Sequence, residues 1–317
     1  MMIDFISTTK HLEGKDTPFL GNLQFVSGNN SGWLTFEAVG CRRIKVQYNE
    51  HLNILKVSGS IMYFMQGHNF SYDRKLFVQG IQYLSTILKV GDLWSSQVAA
   101  FENGVIMNVP LAPKDYIQHH TTLQAEKLKT YENSIDRGYF RGWRDKDVFL
   151  KMYDVKNNFK HKLSRQEKSD IGLQDDAQYL KFEAHYIRPE CLNKGRMILL
   201  SDLVCPEWES VFSEDLYLQY KRLVPMKTLI APTNKKDLSS ADIIALTFAE
   251  EGLQAGKSIG DIKKLIYSRI DAISEDVLNI YDKRARKAQI NGLLKKLQEA
   301  PESKYDLCNK LASALEV

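Results

Sequence analysis

Short apolar runs and turn residues alternate in the first part of the chain. Between Asn22 and Met65 the runs NLQFVS, WLTFEAV, RRIKVQY and LNILKVSGS are rich in β-branched and aromatic residues. Such runs predict a meander of β-strands. From Ser71 to Val90 the spacing becomes helical, with apolar residues at Phe77, Ile81, Leu84 and Leu88. This spacing predicts a helix capped by Ser71, with one face on the sheet.

Strand patterns return in three later segments. From Val98 to Val109 apolar residues alternate with polar ones, so Glu102 and Asn108 share the face opposite to Phe101. Segments 147–153 and 180–187 predict two further strands, joined by a polar stretch. A short helix is expected after the strand 98–109, because the segment PKDYIQHHTTLQ has proline in its first turn.

The pattern after Pro189 is helical almost to the end. One helix is predicted over 207–224, and Pro225, Pro232 and the polar NKKDLSS segment indicate a boundary between 225 and 240. Three more helical patterns follow. The sequence therefore predicts an α+β fold, with an antiparallel sheet and covering helices over residues 1–225 and a helical C-terminal region over residues 226–317.

Composition adds few constraints to this outline. The 317 residues are 44% hydrophobic and 26% charged, as in an ordinary globular protein. The four cysteines lack the CxxC spacing of a zinc site. No apolar run approaches the roughly 18 residues of a membrane span, and the N-terminus lacks the apolar core of a signal peptide. We therefore expect no membrane association and a cytoplasmic location.

Positive charge is concentrated in one segment. The net charge of the chain is +4, while residues 137–168 contain ten basic and four acidic residues. Such a segment can neutralise several phosphates of a nucleic acid, although a solvated face would give the same pattern.

Residues able to do phosphodiester chemistry fall on the three later strands. Glu102 lies on the first, Tyr153 ends the second, and Lys181, Glu183 and His185 share one face of the third. If the strands are neighbours, the carboxylates and the histidine suit Mg²⁺ or Mn²⁺, and tyrosine can act as a covalent nucleophile. The alternative for each is ordinary: a carboxylate or histidine on a solvated sheet face, and a tyrosine at the core edge.

Several segments, in order over residues 20–190, resemble replication initiators of filamentous phages and of small staphylococcal resistance plasmids. Gly59-Ser60 and Gly67-His68-Asn69 stand in a strand and loop, and AAFENGVIMNV carries Glu102. FLKMYDVKNNFK is similar to their strand-tyrosine-lysine segment, and LKFEAHYIR to the strand that follows. Ala100-Phe101-Glu102 replaces their Arg-hydrophobic-Asp, and no His-hydrophobic-His pair occurs, so the resemblance is to a carboxylate-rich branch.

The resemblance implies a relaxase-like nicking fold and an enzyme that starts rolling-circle replication through a 5′-phosphotyrosine. Tyr153 would be the nucleophile, assisted by Lys156, with Tyr131 and Tyr139 as alternatives. Mg²⁺ or Mn²⁺ would be held by Glu102, Glu183 and His185. The partner would be origin DNA, single-stranded or in a hairpin, contacted by Gly67, Asn69, Lys151, Lys160, Lys162 and Arg165.

Two other functions are compatible with the same residues. One is an origin-binding initiator without chemistry, which would recruit host replication factors. Its support is the basic C-terminal helix, which could contact phosphates or a host helicase and carries Lys283, Arg284, Arg286, Lys287, Lys295 and Lys296. The other is a metal-dependent nuclease that uses water instead of tyrosine.

Overall fold

The structure of the protein is a computed structural model. It describes residues 2–13, 18, 20–21, 23–38, 44–123, 129–133, 140–159, 164–225, 229–230, 244, 247–249, 251–252, 257, 259–296, 298–299 and 305–317.

A ten-stranded antiparallel sheet dominates the fold. Its strands are β1 (Met2–His11), β2 (Leu23–Gly28), β3 (Trp33–Ala38), β4 (Ile44–Asn49), β5 (Ile54–Gly59), β6 (Gln97–Val109), β8 (Lys129–Asn133), β9 (Phe140–Arg144), β10 (Val148–Asp154) and β11 (Gln178–Tyr186). Their order across the sheet is β2-β3-β4-β5-β1-β6-β11-β10-β9-β8. Two small sheets pair β7 (His120–Leu123) with β12 (Leu223–Pro225) and β13 (Leu229–Ile230) with β14 (Gln298–Glu299). The predicted α+β class and antiparallel sheet are confirmed.

Helices lie between strands and after them in the chain. They are α1 (Ile61–Gln66), α2 (Arg74–Leu88), α3 (Pro113–His119), α4 (Val155–Phe159), α5 (Arg165–Asp170), α6 (Pro206–Lys221), α7 (Ile259–Asp271), α8 (Ile280–Lys296) and α9 (Cys308–Leu315). None of the helices in the described ranges combines the length and the apolar character needed to cross a membrane.

Two local predictions need correction. The predicted cap Ser71 is wrong, because the Asp73 side chain accepts from the first-turn amides of Lys75 and Leu76 and so starts α2 there. The polar stretch after β10 is not only a connection, because it contains α4 and α5. Helix α5 begins with a capping box between Ser164 and Glu167, a signal visible as S-x-x-E in the sequence.

The chain divides into two compact units. The first comprises Met1–Lys114, Ala125–Arg222 and Cys308–Val317, and therefore holds the ten-stranded sheet with α6 and α9. The second comprises Asp115–Gln124 and Leu223–Leu307. The long segment of the second unit thus begins beside the predicted boundary at residue 226, but the last helix, α9, belongs to the first unit.

The core of the first unit includes the sheet face on which α6 packs. There Phe101 of β6 stacks on Tyr186 of β11 with ring centroids 4.8 Å apart, and Phe212 of α6 lies 5.2 Å from Phe101. Asn103 shares this face and donates a hydrogen bond to the Phe212 carbonyl at 2.9 Å. Because side chains alternate along a strand, Glu102 points to the opposite face. The polar residues of the candidate site lie on that opposite face.

Candidate active site

The pairing register of three neighbouring strands gathers the predicted residues on one sheet face. His185 of β11 lies opposite Glu102 of β6, and Glu183 lies opposite Lys151 of β10. Tyr153 lies opposite Lys181 in the same β10–β11 pair. Side chains of directly opposed residues share a face and approach within about 5.5 Å at Cβ. The antiparallel register therefore places Tyr153 beside the carboxylates that the sequence indicated.

Gly104 makes room for this cluster. It lies opposite Glu183, and a Cβ at this position would come within 2.8 Å of the Glu183 Cβ and 3.3 Å of the Lys181 Cε. A glycine in the middle of a strand costs conformational entropy and gives no packing. Here its lack of a side chain lets the Glu183 and Lys181 side chains lie over β6.

A third carboxylate comes from Asp4 in β1, which the sequence analysis did not identify. The β1–β6 register shifts between Ile3 and Ile6, so that Asp4 and Phe5 both lie opposite Glu102. Bulges of this kind redirect side chains and are common near active sites. As a result the Asp4 side chain, although buried, reaches the same face as Glu102 and Glu183.

The strand-and-loop segment of the family resemblance holds Asp4 in place. Ser60, the N-cap of α1, donates to Asp4 Oδ1 at 3.2 Å. After α1 the chain turns at Gly67, whose φ of 79° lies in the left-handed region that favours glycine. Asn69 follows this turn and donates to Asp4 Oδ2 at 2.5 Å. The motif residues Ser60 and Asn69 thus contact a carboxylate of the cluster.

Two lysines neutralise most of the negative charge. Lys151 donates to Glu102 Oε1 at 2.5 Å and to Glu183 Oε1 at 2.9 Å. Lys181 donates to Asp4 Oδ2, and its ammonium lies 2.8 Å from Glu183 Oε2. Three carboxylates against two ammonium groups leave an excess of one negative charge.

Burial and pairing shift the pKa values of these groups. For both lysines burial alone would lower the pKa, but the charge of Glu183 and the other carboxylates outweighs it and raises the pKa. Burial acts against ionisation of Glu183 as well, yet Lys181 and Lys151 together lower its pKa to about 2. The lysines and Glu183 are therefore charged at neutral pH.

Tyr153 is joined to this network through its hydroxyl. The hydroxyl donates to Glu183 Oε2 at 3.1 Å, the same oxygen that Lys181 contacts, and the Lys181 ammonium lies 5.6 Å from the ring centroid. Burial of the hydroxyl and the charge of Glu183 raise the pKa of Tyr153 well above its ordinary value, against the opposing effect of Lys181. The phenol is consequently protonated at neutral pH and needs assistance to act as a nucleophile.

The carboxylates fit a divalent metal ion by their chemistry. Within the described part of the chain, Asp4, Glu102 and Glu183 form the one group of three potential ligands, with one oxygen of each lying within 4.8 Å of the others. Oxygens on opposite sides of a Mg²⁺ ion are about 4.2 Å apart. The spacing of the three carboxylates is therefore close to the spacing that a Mg²⁺ ion requires. His185 lies beside this group, with Nδ1 2.9 Å from Glu102 Oε1.

The structure places the remaining predicted residues elsewhere. Lys156, expected beside Tyr153, donates to the Asp175 carbonyl at 2.6 Å. Arg165 lies in α5, but its side chain is outside the described set, and so is that of Tyr131 in β8. Lys160, Lys162 and Tyr139 lie outside the described residues altogether.

Sequence reasoning missed Asp4 and the pairing role of the two lysines. The period of two showed Lys181 on the face of Glu183, and this was the available signal for its part in the cluster. Asp4 had no such signal, because the bulge that redirects it depends on pairing with β6.

No family model, no curated protein and no solved structure matches this chain.

Proposed function

We propose that the protein is a metal-dependent DNA-nicking enzyme with a relaxase-like catalytic sheet, which starts rolling-circle replication through a covalent tyrosine intermediate. The observation that carries the proposal is the position of the Tyr153 hydroxyl. It lies 3.1 Å from Glu183, within a largely buried cluster of three carboxylates and two lysines contributed by four neighbouring strands. A tyrosine in an ordinary core-edge position would not need this charged surround.

In the proposed reaction the Tyr153 oxygen attacks the phosphorus of a phosphodiester. A bond forms between the phenolic oxygen and phosphorus, and the bond from phosphorus to the 3′ oxygen breaks. The phenolic proton is released to solvent, and the departing 3′ oxygen takes up a proton from solvent, so that no net proton is gained or lost. The products are a 5′-phosphotyrosine and a free 3′ hydroxyl, and the reverse reaction rejoins the strand.

Asp4, Glu102 and Glu183 would hold the divalent ion, Mg²⁺ or Mn²⁺. When bound, the ion would polarise the phosphate and neutralise its developing charge. His185 would orient Glu102 through the contact at Nδ1, as residues behind a metal ligand commonly do. The Asp4 carboxylate is oriented in the same way by Ser60 and Asn69.

DNA binding is part of the proposal. The substrate would be an origin in single-stranded or hairpin form, with the basic segment of residues 137–168 guiding its phosphates. Lys160, Lys162 and Arg165 remain predicted DNA contacts, and assistance to Tyr153 by Lys156 remains a prediction. For the basic helix α8, contact with a host helicase is also proposed.

The proposal is tested by covalent capture. The full-length protein is incubated with Mn²⁺ and a 5′-and-3′-labelled library of single-stranded oligonucleotides, and adducts are resolved on denaturing gels. The wild type should become linked to the 5′ end of the downstream fragment. Tyr153→Phe removes only the hydroxyl, so it should bind DNA as the wild type does and form no adduct.

Tyr83→Phe is the matched control, because Tyr83 is exposed on α2 in the same unit. This variant should form the adduct at the wild-type rate. An adduct that persists in Tyr153→Phe would contradict the assignment and direct attention to Tyr131 and Tyr139. Cleavage without an adduct would indicate a water-using nuclease, and binding without cleavage would indicate a non-catalytic initiator.

A further inference from the structure

The two lysines of the cluster differ in how firmly they are held. The Lys181 side chain is 2% exposed and is paired with Asp4 and Glu183, whose side chains are 6% and 3% exposed. The Lys151 side chain is 17% exposed, and its partner Glu102 is 15% exposed. Lys151 therefore has a route to solvent, whereas moving Lys181 would leave buried carboxylates without their counter-charge.

Lys151 also sits between two of the three candidate metal ligands. Its ammonium lies 2.5 Å from Glu102 Oε1 and 2.9 Å from Glu183 Oε1, so one positive charge already bridges these carboxylates. A divalent ion bound between Glu102 and Glu183 would compete with this ammonium group for the two carboxylates. Two cations so close together in a partly buried site repel each other strongly.

We infer that Lys151 is an exchangeable internal cation, which holds the Glu102–Glu183 position until a divalent ion displaces its ammonium. Lys181 remains in place and keeps Asp4 and Glu183 oriented. This inference rests on the metal site of the proposed function and adds to it a competition between the metal and the protein's own side chain. It also gives Lys151 a second position, in which its ammonium is free to contact a DNA phosphate beside Tyr153.

Competition has a direct thermodynamic consequence. In the wild type the observed metal affinity is reduced by the free energy needed to break the Lys151 ion pairs. Replacing Lys151 by an uncharged residue removes that term and leaves two carboxylates with less counter-charge. The variant should therefore bind a divalent ion more tightly, which is the opposite of what loss of a supporting residue would do.

The test is calorimetric titration of Mn²⁺ into the full-length protein without DNA. Lys151→Met should lower the dissociation constant on the order of tenfold or more. Lys151→Arg keeps the charge and should bind no more tightly than the wild type. Lys146→Met is the matched control, since Lys146 is an exposed lysine just before the same strand, and it should match the wild type.

Two further measurements protect the test from a variant that does not fold. Lys151→Gln keeps a polar side chain and should show the same tightening as Lys151→Met. In the wild type, Mg²⁺ binding should move the NMR signal of the Lys151 Cε to the position of a solvated lysine. The Lys181 signal should stay where it is. The inference is overturned if both uncharged variants bind Mn²⁺ no more tightly than the wild type, or if no variant binds Mn²⁺. It is also overturned if the Lys151 signal does not move.

The nicking proposal and this inference can fail separately. A wild type that binds Mn²⁺, with tighter binding in Lys151→Met, but that forms no adduct removes the nicking function and keeps the exchange. If Tyr153 forms the adduct but the Lys151 variants keep the wild-type Mn²⁺ affinity, the nicking function stands and the exchange is removed.

Discussion

At the scale of single residues, Asn69 shows how the structure changes the meaning of a motif. The sequence predicted Asn69 as a DNA contact, on the strength of Gly67-His68-Asn69. In the folded protein its side-chain amide donates to Asp4 Oδ2, and Asp4 is one of the three clustered carboxylates. Asn69 of the motif thus orients a carboxylate of the cluster.

Asn69→Ala should therefore weaken metal binding and leave DNA binding in EDTA unchanged. Loss of a residue that orients a ligand typically costs roughly tenfold in metal affinity. Mn²⁺ titration measures the first effect, and the salt dependence of binding to a single-stranded oligonucleotide measures the second. Asn30→Ala, in the exposed β2–β3 turn, serves as the control. Weaker DNA binding with unchanged Mn²⁺ affinity would make Asn69 a phosphate contact instead.

The sequence could indicate Glu102, Glu183, His185 and Tyr153 because they lie on strands with clear alternation. A period of two assigns the face of each side chain without knowledge of its neighbours. It could not indicate Asp4, because the shift in register opposite Glu102 is a property of the pair of strands. Lys156 was chosen from a motif, while the lysine beside the Tyr153 ring is Lys181, which approaches across strands.

At the scale of elements, the sheet depends on close approach between β6 and β11. Local pattern predicted both strands, but β1, which lies between β5 and β6 in the sheet, was not predicted. Its partners β5 and β6 are distant in sequence, so local periodicity holds no information about that pairing. The close approach at Gly104 was not predicted, although a glycine inside a strand pattern is a recognised sign of one.

Gly104→Ala should destabilise the first unit and disturb the site. The new Cβ would meet the Glu183 Cβ and the Phe182 carbonyl oxygen at 2.8 and 3.1 Å, and neither belongs to the flexible end of a side chain. Overpacking of this kind costs about 1–3 kcal/mol in the free energy of unfolding. Chemical denaturation measures this loss, and weaker Mn²⁺ binding should accompany it.

Gly292→Ala is the control for that measurement. Gly292 lies within α8, and a Cβ there meets nothing within 4 Å. Alanine should thus be neutral or stabilise by up to about 1 kcal/mol, because it reduces the entropy of the unfolded chain. A Gly104→Ala protein as stable as the wild type would show that β6 and β11 can separate without cost.

At the scale of the whole molecule, the fold class and the division into units differ in how far local sequence determines them. The α+β class and the antiparallel sheet follow from strand patterns with short turns, which local sequence contains. Local sequence does not show which segments make up each of the two units, because this depends on long-range contacts. Helix α9 follows the helical region in sequence but packs on α6 and β6, in the unit of the sheet. Amphipathic pattern shows that α9 has an apolar face and cannot show which surface covers it.

The buried charges also couple the stability of the first unit to pH. The pKa of Glu183 is about 2 in the folded protein and has its ordinary value of 4.5 in the unfolded chain. Between these values the unfolded chain binds a proton that the folded protein does not, so the free energy of unfolding falls as pH falls. The contribution of Glu183 is complete above about pH 5 and is lost as pH falls through about 2.

Glu183→Gln should accordingly be less stable than the wild type at pH 7, by about 3 kcal/mol, because Lys151 and Lys181 lose a charged partner. The difference between the two proteins should narrow steadily from pH 5 to pH 2, as protonation removes the same charge from the wild type. Urea unfolding at a series of pH values measures both curves. Glu50→Gln changes a residue in an exposed turn of the same unit, and its free energy of unfolding should have the same pH dependence as that of the wild type. A difference between wild type and Glu183→Gln that stays constant down to pH 2 would mean that Glu183 is not held as a buried carboxylate, and the cluster would lose its central anion.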